Sequence, residues 1–358
     1  MRIAAIPGDG IGAEVLPAAA AVVDAAVRID GESPVSWTWL DWGCDRFHDE
    51  GSMMPVDGLQ TLSEFDAIFL GAVGRPDVPD DVSLWGLLIP IRRAFDQYVN
   101  LRPIRLFDGV TPRVTVPEGQ DIDLLIVREN TEGEYSESGG RFMRGTQREF
   151  AVQNDIFTRI GIERITRYAC EKAAARRGHL TSATKSNGII HTMPFWDEVV
   201  AEVTAGYPSL TVDKRLIDAL AAELVLRPFD FDVIVASNLY GDILSDLAAA
   251  IVGSLGIAAS ANLNPERRFP SMFEPVHGSA PDIAGLGVAN PIAAVWSGAL
   301  MLEHLGRERA AARIMRAIER TVADPLTRTR DLGGTASTQG VVDALLVQIA
   351  IESVSTRG

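Results

Sequence analysis

Apolar residues fall in compact runs that alternate with amphipathic stretches along the whole chain. The runs predict buried strands over residues 2–6, 35–40, 65–70, 99–106, 122–127, 180–185 and 232–236, with shorter strands at 113–116 and 210–212. A helical period predicts helices over 12–28, 85–97, 157–176, 195–204, 217–226, 243–252, 291–304, 309–322 and 338–352. In the first of these Val15, Ala19, Val22 and Ala26 share one face. Residues 247–261 read as a buried helix and turn, too short and too interrupted by Gly and Ser to span a membrane. The polar, glycine-rich stretch 136–152 predicts a protruding hairpin. Strands alternating with helices imply an α/β fold with a largely parallel core.

Length adds a domain question. The 358 residues suffice for two domains, yet no Pro/Gly linker divides them. That points either to one large unit or to a domain assembled from both chain ends. Apolar residues make up 47% and charged residues 23%, a core-forming composition. The 33 basic and 48 acidic residues give a net charge of −15, which disfavours nucleic acid and anionic membrane surfaces as partners. A small anionic ligand is not excluded, because it meets only its own pocket. Cys44 and Cys170 form no metal or disulfide framework, which fits a cytoplasmic protein. The amino-terminal residues show no secretory signal pattern.

Several clusters carry candidate chemistry. Residues 8–13, GDGIGA, follow a strand and open a helix, with Asp30 about 20 residues on, as a dinucleotide fingerprint would. A glycine-rich packing turn reads equally well. Arg102 and Arg128 stand where apolar strands end, and Arg92 precedes Arg102 by ten residues. Three guanidiniums suit a substrate with two carboxylates, although any single arginine is more often a solvated surface group. Asp242 and Asp246 share one helix face, where two like charges destabilise the helix unless a cation such as Mg²⁺ or Mn²⁺ neutralises them. Asp242 as a helix cap is the plainer alternative. Lys185 after a strand suits a proton acceptor, and Tyr135 a proton donor. The loop from Phe273 to Gly285 is rich in Gly, Pro and small residues and suits an anionic cofactor, with Asp282 available to a ribose hydroxyl. His48, His179, His191 and His304 show no metal spacing. Pro90 falls inside the helix expected at 85–97 and predicts a kink that bears on the aim of Arg92.

Taken together, PGDGIG, NLRP, VRENTEGEY, TKSNG, SNLYGDILSD and FEPVHGSAPDIAG with ANP resemble the β-decarboxylating dehydrogenases, the isocitrate and isopropylmalate dehydrogenase family. The order of motifs is the family's, and the resemblance covers nearly the whole chain. SLWG, FDQYVNLRP, SATKSNG and SANLNPER look most like its tartrate dehydrogenase/D-malate dehydrogenase (decarboxylating) branch. The resemblance implies an isopropylmalate dehydrogenase-like two-domain α/β fold with a parallel or mixed central sheet and without a Rossmann cofactor site, so that the GDGIG segment is structural. It implies a cofactor-side domain of residues 1–96 plus 255–358 and a substrate, metal and dimerisation domain of residues 97–254. Arg92, Arg102 and Arg128 match the arginines that hold substrate carboxylates, and Tyr135 and Lys185 the catalytic pair. Asp218, Asp242 and Asp246 match the metal ligands. His277, Gly278, Asp282, Ile283 and Asn290 match cofactor contacts, with Asp282 and Ile283 standing where NADP-using isocitrate enzymes carry Lys and Tyr.

The implied activity is NAD- and Mg²⁺- or Mn²⁺-dependent oxidative decarboxylation of a small (2R)-hydroxy dicarboxylate. The candidates are D-malate, giving pyruvate and CO₂, and tartrate. A K⁺ requirement is left open. The implied assembly is a homodimer in which Lys185 and Asp218 reach the partner's site and the hairpin near 139–152 joins the interface. Trp85 stands where isopropylmalate enzymes carry a Glu, and the Ser and Asn of the isocitrate enzymes are missing. 3-Isopropylmalate dehydrogenase is the enzymatic alternative and a regulatory pseudoenzyme subunit the non-enzymatic one. The intact set of three aspartates, Lys185 and Tyr135 weighs against the latter.

Overall fold

The computed structural model describes residues 1–355. Its strands in chain order are β1 (Arg2–Gly8), β2 (Ser36–Trp39), β3 (Ala67–Ala72), β4 (Val99–Arg105), β5 (Asp123–Glu129), β6 (Gly139–Phe142), β7 (Phe150–Gln153), β8 (His179–Thr184), β9 (Thr211–Leu216), β10 (Val233–Ala236), β11 (Ala259–Leu263) and β12 (Ser271–Pro275). The chain forms two compact units. The first comprises Met1–Gln97, Leu106–Arg113 and the chain from Ala249 onward; the second comprises Tyr98–Arg105 and Val114–Ala248. Leu106–Arg113 thus lies with the first unit, where the sequence expectation had it in the second. Val110 packs within van der Waals reach of Gly253, and Arg113 N donates to Ile251 O at 2.8 Å, so this segment is held by the returning chain. The last three residues of the expected first domain, 356–358, lie outside the described residues.

In the first unit the strand order is β2-β1-β3-β12-β11. β1 is parallel to β2 and β3, β12 is parallel to β3, and β11 is antiparallel to β12. Every residue of β3 (AIFLGA) is buried, as expected of a strand covered on both faces. The helix Gly12–Ile29 buries Val15, Ala19, Val22 and Ala26, the predicted face, and packs on the helices Ile292–His304 and Thr338–Ser355.

In the second unit the order is β4-β5-β10-β8-β9. β4 is antiparallel to β5 and the others pair parallel. The helix Arg159–Ala174 starts at Thr158, whose hydroxyl accepts from Gly161 N at 3.0 Å, a capping bond that satisfies an orphan N–H. It buries Ile162, Ile165, Ala169 and Ala173 against the strands. β6 and β7 form the expected hairpin, and its Phe142 and Phe150 are exposed with their rings stacked 5.0 Å apart. The architecture is α/β with parallel and antiparallel pairs in each unit.

Four sequence expectations need correction. Residues 113–116 form no strand, because Pro112 and Pro117 bracket them and remove donors a ladder would need. Residues 259–263 form β11 rather than the end of a helix and turn. Its buried Ser260 and Asn262 are satisfied by tertiary partners, so the usual apolar signal is absent. The glycine-rich segment begins inside β12, which holds Phe273, Glu274 and Pro275. The helix expected at 85–97 is instead three joined turns, α-helical at Asp80–Ser83, π-helical at Leu84–Leu88 and α-helical at Ile89–Ala94. Pro90 occupies the opening turn of the last, where its missing N–H costs least, and the widened turn precedes it.

Candidate active site

The second unit gathers two arginines, two aspartates and a tyrosine. The helix Asn238–Ile251 follows β10, and its amino end is fixed by Glu134. Glu134 Oε1 accepts from Ser237 Oγ at 2.6 Å and Oε2 from Leu239 N at 3.0 Å, so a carboxylate meets the positive end of the helix. Gly241 lets this helix lie against the Arg128 stem, because a Cβ there would come within 2.6 Å of Arg128 Cβ. Arg128, at the end of β5, is 2% exposed. Its Nε and Nη2 donate to Asn238 Oδ1 at 3.0 and 2.5 Å, and its Nη1 donates to Asp242 Oδ1 at 2.5 Å. Arg102, on β4, donates through Nη1 to Ser245 Oγ at 2.6 Å and to Asp246 Oδ1 at 3.2 Å, and its Nη2 lies 3.2 Å from Asp242 Oδ1. Tyr135 Oη donates to Asp242 Oδ2 at 3.0 Å, with the Arg128 guanidinium 5.7 Å from its ring centre.

Asp242 therefore joins Arg102, Arg128 and Tyr135. Burial holds the Tyr135 phenol above its ordinary range, the Asp242 charge adds to this, and Arg128 opposes it. Burial also raises Asp246, with Arg102 pulling it down and Asp242 pushing it up. Two carboxylates one helical turn apart crowd negative charge that the guanidiniums only partly offset. Asp246 remains 57% exposed at its side chain, and Asp242 31%. Two accessible, hard oxygen donors fit a Mg²⁺- or Mn²⁺-type ion. The third expected ligand stands elsewhere. Asp218 opens the helix Ile217–Leu226, and its Oδ1 accepts from Lys185 Nζ at 2.6 Å. That bond holds the Asp218 carboxyl below its usual range. Among the described residues no three His, Cys, Asp or Glu side chains form a metal-ligand set within one chain.

The remaining expected residues lie in the first unit. Arg92 donates through Nη2 to Glu274 Oε1 at 2.8 Å, and Asn262 Nδ2 donates to the same oxygen at 2.7 Å. Arg92 Nε and Arg102 Nε are buried without partners among the described residues, each a spare donor. His277 Nδ1 lies 3.0 Å from Gly278 O; burial lowers its pKa, and its Nε2 is a buried atom without a partner among the described residues. Gly278 and Asp282 are exposed and Ile283 is half-buried. Asn290 is committed to the fold: Oδ1 accepts from Ile292 N at 3.0 Å and Nδ2 donates to Asp331 Oδ2 at 3.0 Å. The loop is tied down by Glu14, which accepts from Gly285 N and from Gly287 N.

The GDGIG segment is filled by protein. Gly10 has φ +55, and a Cβ there would stand 2.1 Å from Ser279 O, while Ile11 N donates to that carbonyl at 2.8 Å. Asp9, 4% exposed, accepts from Cys44 N at 2.8 Å and Gly74 N at 2.7 Å. These backbone contacts occupy the face a Rossmann pyrophosphate would use. Both cysteines are free and buried, with burial pushing Cys44 up to about 12 and Cys170 up to about 11, so neither thiol is reactive. Among the described residues no helix is long and apolar enough to cross a membrane.

Sequence reasoning missed Asn238, Ser245, Glu134 and Glu274, which orient the arginines and the aspartate helix. Asn238 and Ser245 stand in the same motif as Asp242 and could have been found as acceptors facing a strand-end arginine. Glu274 lies 182 positions from Arg92 and gives no local signal.

The fold and this site define a dehydrogenase of the isocitrate/isopropylmalate dehydrogenase family, whose model matches residues 2–345; the chain belongs to that family. Within it, the chain is 54% identical over 353 residues to the D-malate dehydrogenase [decarboxylating] of Escherichia coli (strain K12), covering 96% of this chain and 97% of that one. It is 54% identical to the tartrate dehydrogenase/decarboxylase of Pseudomonas putida, covering 96% of each chain. The crystal structure of isocitrate dehydrogenase from Methylococcus capsulatus superposes with a TM-score of 0.88 at 35% identity, covering 97% of this chain and 99% of that one.

Proposed function

We propose that this chain oxidatively decarboxylates a small (2R)-hydroxy dicarboxylate, D-malate or a tartrate, with NAD as hydride acceptor. The observation that carries the reading is Asp242, joined at once to Arg102, Arg128 and Tyr135 beside a second accessible carboxylate. It is supported by relatives at 54% identity whose names are D-malate dehydrogenase [decarboxylating] and tartrate dehydrogenase/decarboxylase. Asp242 and Asp246 of one chain, with Asp218 of a second copy, are the ligands for Mg²⁺ or Mn²⁺. When bound, that ion supplies Lewis-acid polarisation of the substrate oxygens and NAD supplies the hydride acceptor.

Arg102 and Arg128 hold a substrate carboxylate bidentately. Arg92 binds the other carboxylate. Lys185 takes the proton of the 2-hydroxyl as C2 gives up its hydride. The bond from C3 to the departing carboxylate then breaks, its electron pair forms an enolate, and Tyr135 Oη delivers a proton to C3. D-malate gives pyruvate and CO₂. Asp282, an exposed carboxylate, suits ribose hydroxyls and repels a 2′-phosphate, which favours NAD over NADP. Lys185 and Asp218 form a pair of their own, and the described residues of one chain gather no three ligands, so a homodimer with shared sites would complete the set.

A substrate panel tests this reading: D-malate, both tartrate forms, 3-isopropylmalate and isocitrate, each with NAD or NADP, Mn²⁺ or Mg²⁺, and with or without K⁺. D-malate or a tartrate with NAD should turn over fastest. Fastest turnover of 3-isopropylmalate, or no turnover at all, would refute it.

A further inference from the structure

The first unit carries a cavity of about 410 Å³ that none of the residues discussed above for catalysis or cofactor contact lines. That volume lies within the range of small-molecule sites. Its wall includes Arg267, Arg268 and Arg307, with Asp66 as the one carboxylate. Asp66 Oδ2 is already used, accepting from Arg2 N at 2.7 Å. Three guanidiniums and one acid line the cavity, in a chain of net charge −15. Among the described residues the Arg267 guanidinium has no hydrogen bond or ion pair, and Arg268 reaches only Glu266 at 3.8 Å. Arg307 is anchored by Glu32 at 2.6 Å.

Two of the arginines stand on a fixed turn. Arg267 and Arg268 sit in the β11–β12 connection, where Asn264 is 0% exposed. Asn264 Oδ1 accepts from Arg268 N at 2.8 Å, its backbone carbonyl accepts from Arg267 N at 2.9 Å, and its Nδ2 donates to Asp96 O at 3.0 Å. Arg267 is held at φ +55, a region that a bulky side chain seldom adopts. Part of the lining is apolar. Phe65 and Phe269 line it, and Phe269 is 44% exposed with its ring backed by Phe95 at 6.2 Å. Guanidiniums beside an accessible aromatic face suit an anion that carries a flat ring.

We propose that this cavity is a second nucleotide site, binding a nucleoside diphosphate with its phosphates on Arg267, Arg268 and Arg307 and its base on Phe269. It stands independently of the catalytic reading. The test is calorimetric titration of ADP, adenosine and pyrophosphate into the full chain, in which the part of the ADP binding lost in Arg267→Gly reports this cavity and the part retained reports any other adenine-nucleotide site. ADP should bind the cavity more weakly as salt rises, with pyrophosphate at least tenfold weaker and adenosine weaker still. Arg267→Gly removes the guanidinium yet suits the left-handed backbone, so it should fold normally and weaken ADP at least tenfold while turnover is unchanged. Adding Arg268→Ser should abolish the binding. No ADP heat, equal binding of pyrophosphate, or full ADP affinity in the double variant would each overturn the proposal.

Discussion

Glu129 gives the most quantitative prediction. It directly follows Arg128 on β5 and is completely buried. Its Oε2 accepts from Thr131 N and Glu132 N, at 2.9 and 2.8 Å, and its Oε1 accepts from the Thr131 hydroxyl at 2.9 Å. The nearest cation, Arg164 Nη2, is 3.8 Å away. Burial outweighs these bonds and pushes the carboxyl from its ordinary 4.5 up to about 7. A raised acid binds its proton more tightly in the folded chain than in the unfolded one. Folding is therefore unpenalised below pH 4.5, loses stability as pH rises toward 7, and is flat above. Integrated between those limits, the penalty is about 1 kcal/mol at pH 5.5 and about 3 kcal/mol at pH 7.5. Glu129→Gln removes the ionisation. It keeps one acceptor oxygen, so it loses some hydrogen bonding by an amount that does not vary with pH. Urea denaturation of both proteins at pH 5.5, 6.5, 7.5 and 8.5 checks this. The stability difference should move by about 2 kcal/mol in favour of the variant between pH 5.5 and 7.5, then stay constant. A difference independent of pH, or one that moves the other way, would refute the reasoning.

Three further outcomes are expected. Tyr135→Phe removes a half-exposed hydroxyl that bonds Asp242, so the melting temperature should hold while turnover falls about 10²- to 10³-fold, the usual worth of a positioned general acid; turnover within threefold of the parent contradicts the donor role. Mixing Lys185→Ala with Asp246→Asn, each inactive alone, should restore about a quarter of full activity through hybrid dimers that hold one intact site; no recovery after subunit exchange shown by mass spectrometry would count against shared sites. Asp9→Ala strands the Cys44 and Gly74 donors and should destabilise the chain by about 1–3 kcal/mol with the KM for NAD unchanged; a large KM effect on a stable protein would revive a cofactor role for the GDGIG turn.

The sequence by itself determined the α/β class, most element positions and the residue types of the site. Strands such as Val233–Ala236 and helices such as Gly12–Ile29 are legible because burial imposes a local period on the residues that form them. Arg102, Arg128 and the Asp242/Asp246 pair were legible because strand ends and one-turn helix spacing are local properties too. Pairing across long separations was decided only by the tertiary structure. β11 was hidden because its Asn262 is satisfied by Glu274 and Met272 rather than by an apolar pattern. Glu134 fixing the aspartate helix, Glu274 holding Arg92 and Asn264 fixing the arginine turn all join residues that no short window contains. A buried polar group needs a partner, but nothing in the chain's local order says which one; only folding brings the two together.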